Sequence, residues 1–200
     1  MEFSKVMVIG AGQMGGGIAQ VMAQNGITVV LRDIKQSFVD KGIINIGDNL
    51  SRSVAKGKLT EEGKNAILGR ISGVVDLDET NCAVDLAIEA ATENIAIKKD
   101  IFKTLDELCP ANTILASNTS SVSITMLGAF TKRSDKFIGM HFFNPASIMK
   151  LVEVTKGLAT SEETFSAIKA LAEKVGKTPV RVNDAPGFVG NRIMKLLEMP

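Results

Sequence analysis

His141 is the only histidine in the 200 residues. It stands near the end of an apolar run, Phe137-Ile138-Gly139-Met140-His141-Phe142-Phe143, that Asn144-Pro145 closes. A neutral imidazole takes up a proton near physiological pH, so a histidine at a strand end is a candidate general base. The next strand-like run, Leu151-Val152-Glu153-Val154, carries a carboxylate. An acid that accepts from the second ring nitrogen fixes the tautomer and stabilises the imidazolium that forms. Spacing alone leaves open whether Glu153 reaches His141 or is a strand-edge acid. A lone histidine among apolar residues also fits a position in the core.

A second group of residues suits phosphate. The run Val6-Met7-Val8-Ile9 reads as a strand buried on both faces and passes directly into Gly10-Ala11-Gly12-Gln13-Met14-Gly15. In a strand-to-helix turn, Gly10 permits the sharp bend and Gly12 lets backbone approach a pyrophosphate. Gly15 lets helix and strand pack closely. The helix that follows, Met14 to Gln24, offers its N-terminal N–H groups to anions. Thr28-Val29-Val30-Leu31-Arg32 is a second strand and ends in Asp33. An acid about twenty residues beyond such glycines accepts from a ribose 2′-hydroxyl and repels a 2′-phosphate, which favours NAD over NADP. Arg32 beside it works in the opposite sense.

These residues need a scaffold of alternating strands and helices, and the chain supplies one. A long helical stretch runs from Gln36 to Lys58, and Thr60-Glu61-Glu62 begins another helix as N-cap and first-turn acids, leading to Leu68. Strands follow at 71–75 and 83–90. After Glu93-Asn94 a helix carries Ile97, Ile101, Leu105 and Leu108 at helical spacing. Further strands are read at 113–117, 137–143, 151–154 and 179–182, with a helix from Ser161 to Val175 and a terminal helix from Pro186-Gly187. The class is α/β, a Rossmann-type, doubly wound, largely parallel sheet with helices on both faces. Ligands bind such sheets beyond the carboxyl ends of the strands. Asp33, Glu93, Asn118, Ser120, His141 and Asn144 all fall at those ends.

The net charge of +1 and the absence of Tyr and Trp offer no basic patch or aromatic–basic interleaving for nucleic acid. The glycine loop interrupts the N-terminal apolar run, which is too short for a signal or a membrane span. A cytoplasmic protein with no membrane partner is expected. Cys82 and Cys109 lack metal-ligand spacing and are expected to be reduced, buried thiols, and no metal site is foreseen.

Several motifs occur together and in order: the glycine loop, Ser117-Asn118-Thr119-Ser120-Ser121, His141-Phe142-Phe143-Asn144-Pro145, Met149-Lys150-Leu151-Val152-Glu153-Val154 and Pro186-Gly187-Phe188-Val189 followed by Asn191-Arg192. This combination resembles the 3-hydroxyacyl-CoA dehydrogenases, and among them the bacterial short-chain enzymes acting on 3-hydroxybutyryl-CoA. The resemblance covers nearly the whole chain to Arg192. It implies a catalytic set of His141, as general base, with Glu153, Ser120 and Asn191, the last two holding substrate oxygens. It implies contacts to NAD from Gly10, Ala11, Gly12, Gln13, Met14, Gly15, Asp33, Glu93, Lys98, Asn118 and Asn144. Basic residues of the long helix, Lys56 first, would meet the phosphates of an acyl-CoA substrate.

By the same resemblance, residues 1–186 form the NAD-binding domain, and 187–200 begin a helical C-terminal domain that the sequence truncates. Where that domain is present a homodimer is implied. The chain alone is expected to bind NADH but to turn over slowly. Two other functions stay open on sequence: a non-catalytic NAD-binding fragment, and a different NAD-dependent β-hydroxyacid dehydrogenase. The latter calls for a lysine base and its own glycine-rich substrate loop, and neither pattern is found.

Overall fold

The computed structural model describes residues 2–185, 187, 188 and 190. The first half-sheet is built from β1 (Lys5–Ile9), α1 (Gln13–Gln24), β2 (Thr28–Arg32), α2 (Gln36–Ala55), α3 (Glu61–Leu68) and β3 (Ile71–Val74). Next come β4 (Leu86–Glu89), α4 (Ile95–Leu108), β5 (Ile114–Ser117), the short α5 (Ile124–Gly128) and a 3₁₀ turn at Ser134–Lys136. The chain continues with β6 (Phe137–Phe142), β7 (Leu151–Lys156), α6 (Glu162–Lys174) and β8 (Thr178–Asn183). All eight strands join one sheet in the order β3-β2-β1-β4-β5-β6-β7-β8.

Neighbours from β3 to β6 are parallel, β7 runs antiparallel to β6, and β8 runs parallel to β7. The strand order reverses between β1 and β4, where a doubly wound sheet opens its ligand crevice. Alternate side chains of β1 feed two cores. Val6 and Val8 join Ile18, Met22, Leu31, Ile46 and Met140 on the face carrying α1, α2 and α6. Met7 and Ile9 join Phe102, Leu105, Leu115 and Phe137 on the face carrying α4 and α5. This explains why β1 reads as a continuous apolar run rather than an alternating one.

Helix starts follow the capping residues. The Thr60 hydroxyl accepts from Gly63 N–H, Asn94 Oδ1 accepts from the N–H groups of Ala96 and Ile97, and the Ser161 hydroxyl accepts from Thr164 N–H. Some bounds differ from the sequence reading. Strand β4 is confined to Leu86–Glu89, because only those residues meet partners on both sides. Helix α2 stops at Ala55, three residues before Lys58. Helix α5, with five residues, is too short to show a period. It is held at its start by Asp184, which accepts from the Ser123 hydroxyl and from the N–H groups of Ile124 and Thr125. Pro179 lies in β8 at the open edge of the sheet, where a missing N–H costs no ladder bond. Cys82 and Cys109 are buried free thiols. No helix among the described residues is long and apolar enough to cross a membrane.

The turn after β1 is set by close backbone approaches. Gly10 has φ of +102°, and a Cβ there would lie 2.5 Å from Ala90 O. A Cβ on Gly15 would lie 1.7 Å from Gly10 O, whereas one on Gly12 would meet nothing within 4 Å. Gly15→Ala is therefore expected to destabilise the fold by about 3 kcal/mol or more, at the upper end for overpacking, because backbone rather than a flexible side chain must move. Gly12→Ala is expected to cost no more than about 1 kcal/mol, the weaker N-cap of alanine, while NADH binding is lost. Urea unfolding and NADH titration of both variants check this pair.

Candidate active site

Two openings flank the glycine turn. The larger, of about 590 Å³, lies between α1 and α2 and is lined by Ala11, Gly12, Gln13, Asp33, Phe38 and Arg52 among others. Asp33 is fixed at its rim. Its Oδ2 accepts from Ala11 N–H at 2.7 Å and its Oδ1 from Ile34 N–H at 2.7 Å. The carboxylate thus ties the end of β2 to the glycine loop at the lining of the opening. Arg32 turns away, its Nε donating to Val75 O at 2.9 Å. Helix α1 begins at Gly12 with no side-chain cap and no acid in its first turn. Its N-terminal N–H groups and positive dipole end are thereby left for an anion.

The second opening, of about 320 Å³, is lined by Met14, Glu93, Lys98, Asn118, Ser120, His141 and Asn144, with neighbouring backbone. It collects the ends of β4, β5 and β6. His141 is 7% exposed on β6 and faces Glu153 directly across the antiparallel pair with β7. Nδ1 lies 2.8 Å from Glu153 Oε2, and Glu153 Oε1 accepts from Gly190 N–H at 2.8 Å. Facing an ionised carboxylate, which only accepts, Nδ1 is the donor, and in a neutral imidazole of that tautomer Nε2 is the acceptor. The Phe143 ring centroid lies 4.6 Å from the imidazole and that of Phe188 6.1 Å away.

Beneath the opening lies a charge network, buried at Glu89 and Lys98 and reaching the surface at Glu93. Lys98 Nζ donates to both oxygens of Glu89, each at 2.8 Å, and lies 3.4 Å from Glu93 Oε2. Glu89 also accepts from the Ser117 hydroxyl and from Ala91 N–H. Glu93 in turn accepts from the Thr119 hydroxyl at 2.7 Å, from Ser120 N–H at 2.9 Å and from the Ser120 hydroxyl at 3.3 Å. Burial alone would raise the Glu93 carboxyl. The Ser120 N–H, the Thr119 hydroxyl and the Lys98 ammonium outweigh it and hold the group below the usual glutamate range. Asn118 Oδ1 accepts from Phe142 N–H at 2.8 Å, which locks the end of β6 to the turn after β5.

Most of the expected residues therefore gather around the glycine turn: Asp33 on one side, and Glu93, Lys98, Asn118, Ser120, His141 and Asn144 on the other. Lys56 caps the end of α2 and is exposed. Arg52 and Lys41, not Lys56, line the larger opening. Asn191 lies outside the described residues, as does most of the 187–200 segment. Sequence reasoning passed over Glu89. Its signal was an acid closing the otherwise apolar run Leu86-Ala87-Ile88.

Residues 5–185 match the family model described as the 3-hydroxyacyl-CoA dehydrogenase NAD binding domain. The chain belongs to the 3-hydroxyacyl-CoA dehydrogenase family. It is 52% identical over 194 residues to a probable 3-hydroxybutyryl-CoA dehydrogenase of Bacillus subtilis, covering 97% of this chain and 67% of that one. It is 48% identical to the 3-hydroxybutyryl-CoA dehydrogenase of Clostridioides difficile over 95% of this chain and 67% of that enzyme. Among solved structures, the (S)-3-hydroxybutyryl-CoA dehydrogenase of Ralstonia eutropha superposes with a TM-score of 0.94 at 48% identity, covering 96% of this chain and 68% of the other. The chain thus spans about two thirds of the length of these relatives.

NAD is the cofactor of this dehydrogenase domain, and the residues present fit it. The uncapped start of α1 suits the pyrophosphate, Asp33 the adenosine ribose, and the second opening the nicotinamide end.

The Glu89–Lys98 pair gives a stability test. Removing one partner of a buried pair leaves an uncompensated charge and costs about 3–5 kcal/mol, whereas removing both costs less. Glu89→Gln and Lys98→Met are each expected in that range. The double variant should be destabilised by less than the sum of the two, as urea unfolding would measure. Glu93 adds a pH signature. Its folded value is depressed, so its contribution is complete above the unfolded value of about 4.3 and disappears as pH falls through the lower folded value. Glu93→Gln should flatten the stability–pH curve in that acid window.

Proposed function

We propose that this chain interconverts a (3S)-3-hydroxyacyl-CoA, 3-hydroxybutyryl-CoA in the first instance, with the 3-oxoacyl-CoA, acetoacetyl-CoA in that case. His141 is the group that manages the proton. The observation that carries this is the His141–Glu153 pair at 2.8 Å, opening onto the cavity beside the glycine turn.

In the oxidising direction His141 Nε2 accepts the proton of the C3 hydroxyl. Glu153 holds Nδ1–H and so stabilises the imidazolium that forms. NAD, when bound, supplies the acceptor for the C3 hydride. In the reducing direction the imidazolium returns its proton to the carbonyl oxygen. The Ser120 hydroxyl and Asn191 hold the substrate oxygens. Asn118 and Asn144, which line this cavity, would hold the nicotinamide end of the cofactor. Phe143 and Phe188 supply apolar walls near the imidazole that keep water from the reacting atoms. The exposed basic residues at the end of α2, Lys56 first, meet the phosphates of CoA.

A lysine-base dehydrogenase acting on a free acid is less well supported. Lys98, the lysine of this cavity, already donates to both oxygens of Glu89 and is 1% exposed.

Acetoacetyl-CoA-dependent oxidation of NADH tests the proposal. His141→Gln should lower kcat by about 10²–10⁴-fold, the range of general acid–base catalysis, with NADH affinity within about twofold of wild type by the same reasoning. Glu153→Gln should cost about 10²-fold or more, since the ring loses the acceptor that sets its tautomer. Activity retained per folded molecule in His141→Gln would show that the histidine only fills the core.

A further inference from the structure

Lys177 stands in the turn between α6 and β8 and is 8% exposed. Its ammonium donates to Ala146 O at 2.6 Å and to Met149 O at 2.8 Å. No carboxylate among the described residues lies within ion-pair distance of it. Both acceptors belong to residues 143–150, which connect β6 to β7 and carry Asn144 into the cavity beside His141.

That connection forms a single turn, in which Ile148 N–H and Met149 N–H both bond to Pro145 O at 2.9 Å. The carbonyls at the far end of such a turn point away from it and need donors from elsewhere. Lysine reaches two of them at once with a charged donor, which gives stronger bonds than a neutral one. On its other side the turn is pressed against α1. Ala146 is 2% exposed, and a Cβ on Gly17 would lie 3.1 Å from the Ala146 Cβ. Thr178 N–H also donates to Lys150 O at 2.8 Å, so the start of β8 follows the end of the connection. The segment is therefore clamped between the cofactor-binding helix and Lys177. Burial pushes the Lys177 ammonium down from the ordinary lysine value, the expected strain of a charge held by neutral carbonyls.

We infer that Lys177 is a positioning residue for the nicotinamide half of the cofactor: its two bonds fix the turn after Pro145, and with it Asn144, against the cavity next to His141. The inference rests on the proposed placement of the nicotinamide in that cavity. Lys177 makes no hydrogen bond to the glycine turn or to Asp33. Although the turn it holds also touches α1 at Gly17, which lines the larger opening, its own bonds end on the segment that carries Asn144. Its effect should therefore fall chiefly on the nicotinamide half of the dinucleotide.

The experiment compares NADH, which reaches both openings, with ADP-ribose, which lacks the nicotinamide. Wild-type chain should bind NADH more tightly than ADP-ribose. Lys177→Met should raise the NADH dissociation constant about tenfold, the effect of losing a charged-donor contact to a positioned loop, and leave ADP-ribose within about twofold. ADP-ribose binding thus serves as the control for folding, because it reads the intact glycine turn. Should Lys177→Met fail to fold, Lys177→Leu, which likewise has no donor for the two carbonyls, is read in the same way. Equal loss for both ligands would make Lys177 merely structural and overturn the inference, as would no change for either. If wild-type chain binds NADH no better than ADP-ribose, the placement of the nicotinamide fails first and the inference with it.

Discussion

Everything in the site depends on how closely three pieces of backbone approach one another after β1. The first glycine of the loop presses on Ala90 beyond β4, and the third presses on the first. No side chain fits at either place. That contact brings the start of α1 to the point where β1 and β4 diverge, so the positive end of the helix opens on the crevice. It also divides the crevice in two, since Gln13 faces the larger opening and Met14 the smaller. A dinucleotide is the kind of ligand that spans such a divide, with its pyrophosphate over the turn and a different chemical half on either side.

The two halves are held differently. At the larger opening the fixing is by backbone N–H groups to one carboxylate, Asp33. At the opening beside His141 it is by side chains bonded in series, from Glu89 through Lys98 and Glu93 to Ser120. Such a series transmits position: a shift of Lys98 moves Glu93, and Glu93 holds both the N–H and the hydroxyl of Ser120. At its buried end, Glu89 and Lys98, each member must be satisfied or the arrangement is destabilising. The antiparallel return of β7 completes the site from the far side by laying Glu153 opposite His141.

Much of this was legible in the sequence because burial writes itself as apolar runs. The six inner strands appear where such runs lie, whereas the edge strands β3 and β8 are mostly exposed or half-buried. The glycines, the capping residues and the acid at the end of β2 each have a local mechanism. The His141–Glu153 contact was not fixed by local pattern, since it depends on the direction of β7. That direction was nevertheless implicit. Only residues 143–150 separate β6 from β7, and a parallel crossover takes a dozen or more. Eight residues suffice only for a return. The Glu89–Lys98 pair was harder to read, because it joins a strand end to a helix interior across a turn. Lys177 gave no signal at all: its acceptors are backbone carbonyls, which leave no mark in sequence. Asn191 lies beyond the described residues.

A single bound dinucleotide should cross the glycine turn, with its nicotinamide beside His141. A crystal structure of the chain with NAD and acetoacetyl-CoA tests it most directly. It should show adenosine ribose hydroxyls on Asp33, pyrophosphate at the N-terminus of α1, and the nicotinamide in the cavity of Asn118 and Asn144. The 3-oxo oxygen should then lie about 2.6–3.2 Å from His141 Nε2, within reach for proton transfer. A nicotinamide lodged outside that cavity, or a substrate oxygen beyond the reach of His141 with no water between them, would contradict it.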